Sequence, residues 1–202
     1  HSGSTSSVSI TFVPDWKRFG MTKMDFTIYK IFQKRVWDAN ICTTPNCKVK
    51  FNGDVLPKQS FEMYAKMHSG VENVTSVTGD RWSVCIGPSE TGMEQVSFVN
   101  GICTTKGGTH VDHVASLVAS GVIEEMAKKI KLKPQQVKNT FNIFVKATLE
   151  NPSFSSQVKS ECTLKAQDFG SKFEMPKTFV KNVLKTGISD ELTALSKFKE
   201  MK

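Results

Sequence analysis

Apolar and polar positions alternate at several places along the chain. Val8, Ile10 and Phe12 alternate with polar neighbours ahead of Pro14-Asp15, which predicts a strand over residues 7–12. Residues 21–40 repeat differently: Met24, Ile28, Ile31 or Phe32, and Val36 share one side at helical spacing. Residues 48–51 alternate again, and Asn52-Gly53-Asp54 is a strong turn signal, so Val55-Leu56 returns as the second arm of a short hairpin. Residues 60–67 read as a short helix, and residues 68–80 have no clear period and read as loop. Trp82, Val84 and Ile86 then alternate with Ser83 and Cys85, and Val96 and Phe98 share a face after Gly87-Pro88 and Gly92. These two runs predict a second hairpin with a loop of several residues.

From residue 109 the period changes. Val111, Val114, Val118, Val122 and Met126 form a helical stripe, with Thr109 placed as its N-cap. The lysine-rich run Lys128-Lys129-Ile130-Lys131-Leu132-Lys133-Pro134 ends that helix. Phe141, Ile143, Val145, Ala147 and Leu149 alternate as a strand, with Phe144 on its other face. Strand, helix, strand is a βαβ crossover. Residues 152–165 are a polar loop. Phe173 opens a short strand or turn, followed by a helix led by Pro176 that stops at Gly187, and a last helix starting at Ser189-Asp190-Glu191.

Composition narrows the class. The chain has 202 residues, 39% hydrophobic and 23% charged, close to an ordinary globular domain. It can bury a core without metals or disulfides, and no apolar run approaches the ~20 residues of a membrane span. Residues 1–7 are small and polar and read as a disordered or linker segment. The net charge of +8 is uneven. Residues 1–100 carry 11 basic and 9 acidic groups, whereas residues 101–202 carry 16 and 10. Six Lys and no acid fall between Met126 and Leu149, a single-sign patch that favours a polyanionic partner or is a solvated basic face. Five Cys without zinc-finger spacing read as free thiols.

Few motifs carry chemistry on their own. His110 and His113 stand at i, i+3, but Asp112 lies elsewhere on the helix and no third metal ligand is evident. Lys106-Gly107-Gly108 precedes a helix and is either an anion cradle or only a tight turn. Neither a P-loop nor a G-x-G-x-x-G run occurs. The stretch Glu150-Asn151-Pro152-Ser153-Phe154-Ser155-Ser156-Gln157-Val158-Lys159 is a Pro-broken loop ending in Gln and Lys. Lysine is a compact point charge suited to a terminal phosphate.

That stretch, ENPSFSSQVK, resembles the E-N-P-x-F-x-S-Q-T-K pattern of the transducer domain of eukaryotic-type type IIA DNA topoisomerases. Further motifs are similar in order and spacing: Ile10-Thr-Phe with Pro14-Asp15, Arg18-Phe-Gly-Met21, Phe51-Asn-Gly53 with Leu56-Pro57, and Arg81-Trp82 with Val84-Cys85. So are Gln95-Val-Ser-Phe-Val-Asn100, the run from Thr104 to Asp112, Gln136-Val-Lys-Asn139 and Phe169-Gly-Ser171. The resemblance covers the chain from about residue 8. It implies an α/β (α+β) fold, a mixed sheet backed by helices with a left-handed βαβ crossover, as in the ribosomal-protein-like second domain of GHKL ATPases. Residues 8–202 would then be one transducer domain. Residues 8–100 form its strand-rich part, and residues 101–202 carry the crossover, the Gln-x-Lys loop and the C-terminal helices.

The resemblance also implies roles. ATP with Mg2+ binds a preceding GHKL domain, two protomers close as a homodimeric gate, and the transducer relays the nucleotide state to a DNA cleavage core. Gln157, Val158 and Lys159 match the loop that reaches the ATP site, with Lys159 at the γ-phosphate; Val158 stands where the family has Thr. Lys128, Lys129 and Lys131 match the lysine loop that faces double-stranded DNA, in a run several residues shorter than in many relatives. No bound metal of its own and no membrane is implied. The location implied is nuclear, or a cytoplasmic DNA-replication site for a viral source. The chain is expected to be a fragment that neither hydrolyses ATP nor cuts DNA alone. The alternatives are a non-enzymatic basic nucleic-acid-binding module and the equivalent domain of a bacterial-type gyrase.

Overall fold

Asp25 starts the first helix: its carboxylate accepts from the Ile28 N–H at 2.8 Å, and α1 runs Phe26–Cys42. In this computed structural model the described residues are 6–200, the side chains of 199 and 200 excepted, so most of the expected linker over 1–7 lies outside them. A hairpin follows, β1 (Lys50–Phe51) and β2 (Asp54–Val55), turned by Asn52 and Gly53 at φ 52° and 93°. Two positive φ values in succession are what a two-residue hairpin with the native twist requires. Then come α2 (Phe61–Ser69), β3 (Thr75–Thr78), β4 (Trp82–Pro88), β5 (Gln95–Val99), β6 (Ile102–Cys103) and α3 (Thr109–Met126). The chain continues through α4 (Pro134–Lys138), β7 (Phe141–Ala147), α5 (Lys177–Val183) and α6 (Ser189–Glu200). A π-helical turn over Leu184–Ile188, with Gly187 at φ 110°, joins the last two helices.

The main sheet has the order β3-β4-β7-β5-β6. β5 and β7 are parallel neighbours connected through α3, which is the expected βαβ unit; every other pair is antiparallel. The sheet buries both faces. Val84, Ile86, Ile143, Val145 and Val99 lie in one core with the α3 stripe (Val111, Val114, Val118, Val122) and with Phe179, Val183 and Leu192. Their strand neighbours Cys85, Phe144 and Phe98 lie in a second core with Ile41, Phe61, Tyr64 and Ala65. Period-two alternation thus sends successive side chains to helices on opposite sides.

Four local expectations are overturned. β4 and β5 do not form a hairpin, because β7 inserts between them and pairs with both. Residues 68–80 are not all loop: Thr75–Thr78 is an edge strand on β4, β-branched but mostly polar, so its apolar period was faint. Residues 7–12 form no strand, since no described strand pairs with them, and Val8, Ile10 and Phe12 stay exposed. Thr109 is the first helical residue and not the cap; its hydroxyl donates to Leu164 O at 2.5 Å, and Gly108 takes the cap position. The turn Asn100-Gly101, at φ 49° and 79°, also makes an unexpected hairpin of β5 and β6. No described helix is long and apolar enough to cross a membrane.

Candidate functional site

β7 delivers the chain to the Gln-x-Lys loop. Leu149, just past its end, is fixed by a reciprocal pair: the Leu149 N–H donates to Asn100 Oδ1 at 2.8 Å, and Asn100 Nδ2 donates to Leu149 O at 3.0 Å. The next peptide is held by Glu150 N–H donating to Phe169 O at 3.1 Å. Beyond Pro152 the loop folds back on itself. Thr163 N–H donates to Ser153 O at 2.9 Å, Ser155 N–H donates to Glu161 O at 3.1 Å, and Phe154 bridges to Cys162. The two sides make a narrow antiparallel stalk, and Ser156 to Ser160 form its tip.

At the tip, Lys159 N–H donates to Ser156 O at 2.9 Å, closing a turn, and Lys159 has φ 58°. A left-handed backbone on a residue with a long side chain costs about 1–3 kcal/mol and persists only where the surroundings impose it. The Lys159 ammonium lies 5.7 Å from the Phe154 ring centroid, a cation–π contact that rests its stem on the stalk. None of the ion pairs among the described residues involves Lys159. Gln157 is exposed and Val158 is 82% exposed. The predicted Gln157, Val158 and Lys159 are therefore brought together on one protruding tip.

The lysine run lies elsewhere. α3 ends at Met126, whose carbonyl accepts from Lys129 and Ile130 N–H at 2.8 and 3.1 Å. Ile130 and Leu132 fold inward onto the core and leave Lys128, Lys129, Lys131 and Lys133 exposed. Residues 127–133, Gln136 and Ser196 line an open concavity of about 720 Å³ without a carboxylate in its wall. Lys128 also borders a groove lined by Glu124, Glu125, Lys177 and Lys181. Lys133 belongs to the same surface, although the sequence singled out only Lys128, Lys129 and Lys131. The two loops sit at opposite ends of α3, whose 18 residues span about 27 Å.

His110 and His113 do not come together as metal ligands. His110 is fully buried, with Nε2 3.3 Å from Thr104 Oγ1. Burial pushes its pKa down to about 4, which keeps the ring neutral. His113 packs edge-on against Phe169 at 5.8 Å. Among the described residues no three His, Cys, Asp or Glu side chains gather as a metal site. All five cysteines are free thiols, and burial raises the pKa of Cys42 to about 11 and of Cys85 to about 12. Raised thiol pKa values make these groups poor nucleophiles.

Known proteins share this architecture. A family model described as DNA gyrase B matches residues 52–199. The chain is 38% identical over 212 residues to DNA topoisomerase 2 of Arabidopsis thaliana, covering 98% of this chain and 14% of the relative. The ATPase region of Saccharomyces cerevisiae topoisomerase II superposes with a TM-score of 0.84 at 32% identity, over 91% of this chain and 49% of that one. The ATPase and transducer domains of DNA topoisomerase II from Balamuthia mandrillaris superpose with a TM-score of 0.80 at 29% identity, over 87% of this chain and 46% of that one. The chain therefore spans a small part of its curated relative and about half of the yeast ATPase region. With a family model over most of its length, and a shared fold and sequence over nearly all of it, the chain belongs to the DNA gyrase B family and matches the ATPase/transducer region of eukaryotic-type DNA topoisomerase II.

Proposed function

We propose that this chain couples ATP hydrolysis to DNA passage in a homodimeric type IIA topoisomerase, as a rigid relay between a nucleotide site and a DNA cavity. The observation that carries this reading is Lys159, held at φ 58° on the tip of a stalk fastened to the central sheet. A cation with no carboxylate partner among the described ion pairs, kept in a strained conformation, suits a fixed anion better than solvent.

Lys159 fits the γ-phosphate of ATP bound to a neighbouring GHKL domain. ATP with Mg2+, when bound, supplies the phosphoryl group transferred to water. The role of Lys159 is electrostatic: its ammonium stabilises negative charge that grows on the phosphoryl oxygens. Gln157 helps to position the loop against that site. Val158, which stands where the family has Thr, has its side chain exposed on the tip and is the residue of the three least suited to touch phosphate. At the far end of α3, Lys128, Lys129 and Lys131 meet DNA phosphates without reading bases. The helix between them has its stripe locked into the main core, so a displacement of one end moves the other.

The test is ATP turnover by the intact enzyme that carries this chain. Lys159→Ala lowers kcat by about 100-fold or more, the usual loss of one preorganised charge-stabilising group. Unchanged turnover in a folded variant overturns the assignment of Lys159.

A further inference from the structure

Lys159 is not positioned by its own loop alone. The segment 106–109, just before α3, is stitched along the outgoing side of the stalk. Lys106 N–H donates to the carbonyl of Ser160, the residue after Lys159, at 2.8 Å. Cys162 N–H donates to Gly107 O at 3.0 Å, and Thr109 N–H donates back to Cys162 O at 3.0 Å. Thr109 Oγ1 adds a bond to Leu164 O at 2.5 Å. The approach is closest at Gly108, where φ is 127°. A Cβ there would lie 2.7 Å from Cys162 N and 2.9 Å from Cys162 C, and closer still to Cys162 O. Only glycine allows two backbones to run this near each other.

The other side of the segment is tied to β5. Gly107 N–H donates to Thr104 O at 2.9 Å, and Thr104 N–H donates to Ser97 O at 2.8 Å. Gln95 Nε2 reaches Thr104 O at 3.3 Å and Thr105 O at 3.1 Å. Ser97 Oγ and Thr104 Oγ1 share a 2.5 Å bond in a buried setting. The loop of Lys159 is thus joined to the sheet twice: covalently through β7, and by hydrogen bonds through this segment to β5. The amides of Lys106, Gly107 and Thr109 are already donated to carbonyls, which leaves the Lys106-Gly107-Gly108 turn too few donors to act as an anion cradle through its backbone.

We propose that Gly108 and Thr109 are positioning residues for Lys159, holding its loop against β5 through the backbone of Ser160 to Leu164. This rests on the reading of Lys159 at the γ-phosphate. The clamp keeps the ammonium in register with a phosphate that it does not itself carry. Its value is geometric, since a displacement of about 1 Å at a reacting centre is worth about 100-fold in rate.

The experiment is steady-state ATP turnover by the intact enzyme carrying this chain. Gly108→Ala should lower kcat by about 100-fold. Thr109→Val, which removes one hydrogen bond, should lower it by about tenfold, and Thr109→Ser should restore it. The deciding readout is the combination with Lys159→Ala. A clamp that works through Lys159 has nothing left to position, so Gly108→Ala or Thr109→Val then adds no further loss. An equal further loss in that background, or turnover unchanged by Thr109→Val, overturns the positioning role while the Lys159 assignment stands. Unchanged turnover in Lys159→Ala alone overturns both. Should Gly108→Ala fail to fold by circular dichroism, the Thr109→Val and Thr109→Ser pair decides by itself.

Discussion

Arg81 NH1 donates to Glu150 Oε1 at 2.9 Å, at the point where β7 hands the chain to the Lys159 loop. The same guanidinium donates to two carbonyls, from Nε to Thr148 O at 3.0 Å and from NH1 to Gly170 O at 3.1 Å. Arg81 therefore fastens the chain where it leaves β7, at Thr148 and Glu150, and where it comes back past the loop, at Gly170. The ion pair is the weaker part, because Glu150 is 60% exposed and surface pairs contribute about 0–1 kcal/mol. Carbonyls that lose a charged donor cost more, about 1.5–3 kcal/mol. Glu150→Gln is expected to change stability by less than about 1 kcal/mol. Arg81→Ala is expected to cost about 2 kcal/mol, and Arg81→Lys recovers only part, since lysine lacks the fork. Urea midpoints of the three variants rank them.

Gly121 is the near-contact between α3 and α5. A Cβ there would sit 2.8 Å from Val180 Cγ2 and 2.9 Å from Met175 Cε. Alanine gains about 1 kcal/mol of helix propensity over glycine, and overpacking costs about 1–3 kcal/mol. Met175 is flexible and gives way, but the β-branched Val180 does not. Gly121→Ala is expected to lose about 1 kcal/mol net. In the Gly121→Ala, Val180→Ala double variant the new methyl fills the space left by valine, so the combined loss is smaller than the sum by at least about 0.5 kcal/mol. Additive losses in thermal melts would show that the helices are not in close contact there.

The sheet core was legible because its signals were strong and local. The α3 stripe from Val111 to Met126 and the alternation from Phe141 to Leu149 both occupy the predicted faces. Pairing was not legible, because period-two alternation says which face a side chain takes and nothing about the neighbouring strand. Hence β4 and β5 read as a hairpin, although β7 lies between them. Asn100-Gly101, the strongest two-residue turn pair, is the local signal for the β5–β6 hairpin. Resemblance, and not charge or period, singled out Gln157 and Lys159. The contacts of Cys162 with Gly107, Gly108 and Thr109 join residues more than 50 positions apart, and no spacing rule reaches that far.

His110 predicts a pH dependence of stability. Its ring is buried, with Nδ1 unpartnered, and burial lowers its pKa to about 4. The unfolded chain takes up this proton near pH 6.5, the folded chain only near pH 4. The contribution of the neutral ring is complete above pH 6.5 and is lost as the pH falls towards 4, at up to about 1.4 kcal/mol per pH unit. His68 is exposed overall, but burial of part of its ring also lowers its pKa, so it adds a smaller slope in the same direction. Urea midpoints at pH 7, 6 and 5 should fall steeply in the parent chain and less steeply in His110→Gln. Parallel curves would mean that His110 is already accessible to protons in the folded state.

Lys128, Lys129 and Lys131 surround a concavity with no acidic side chain in its wall, and their three charges predict a salt dependence. Each lysine that neutralises a phosphate releases a counterion, so log affinity falls with log salt by about 0.9 per contact. Replacing all three by Gln should lower the slope for DNA stimulation of ATP turnover by about 2.7. The loss should be greatest at low salt, where screening is weakest. Replacing Lys133, which lines the same wall, should give a similar further reduction. Basal turnover without DNA should not change, since this surface lies about 27 Å along α3 from the Lys159 loop. An unaltered salt slope in the triple variant would identify the run as a solvated face, with the DNA contacts made elsewhere.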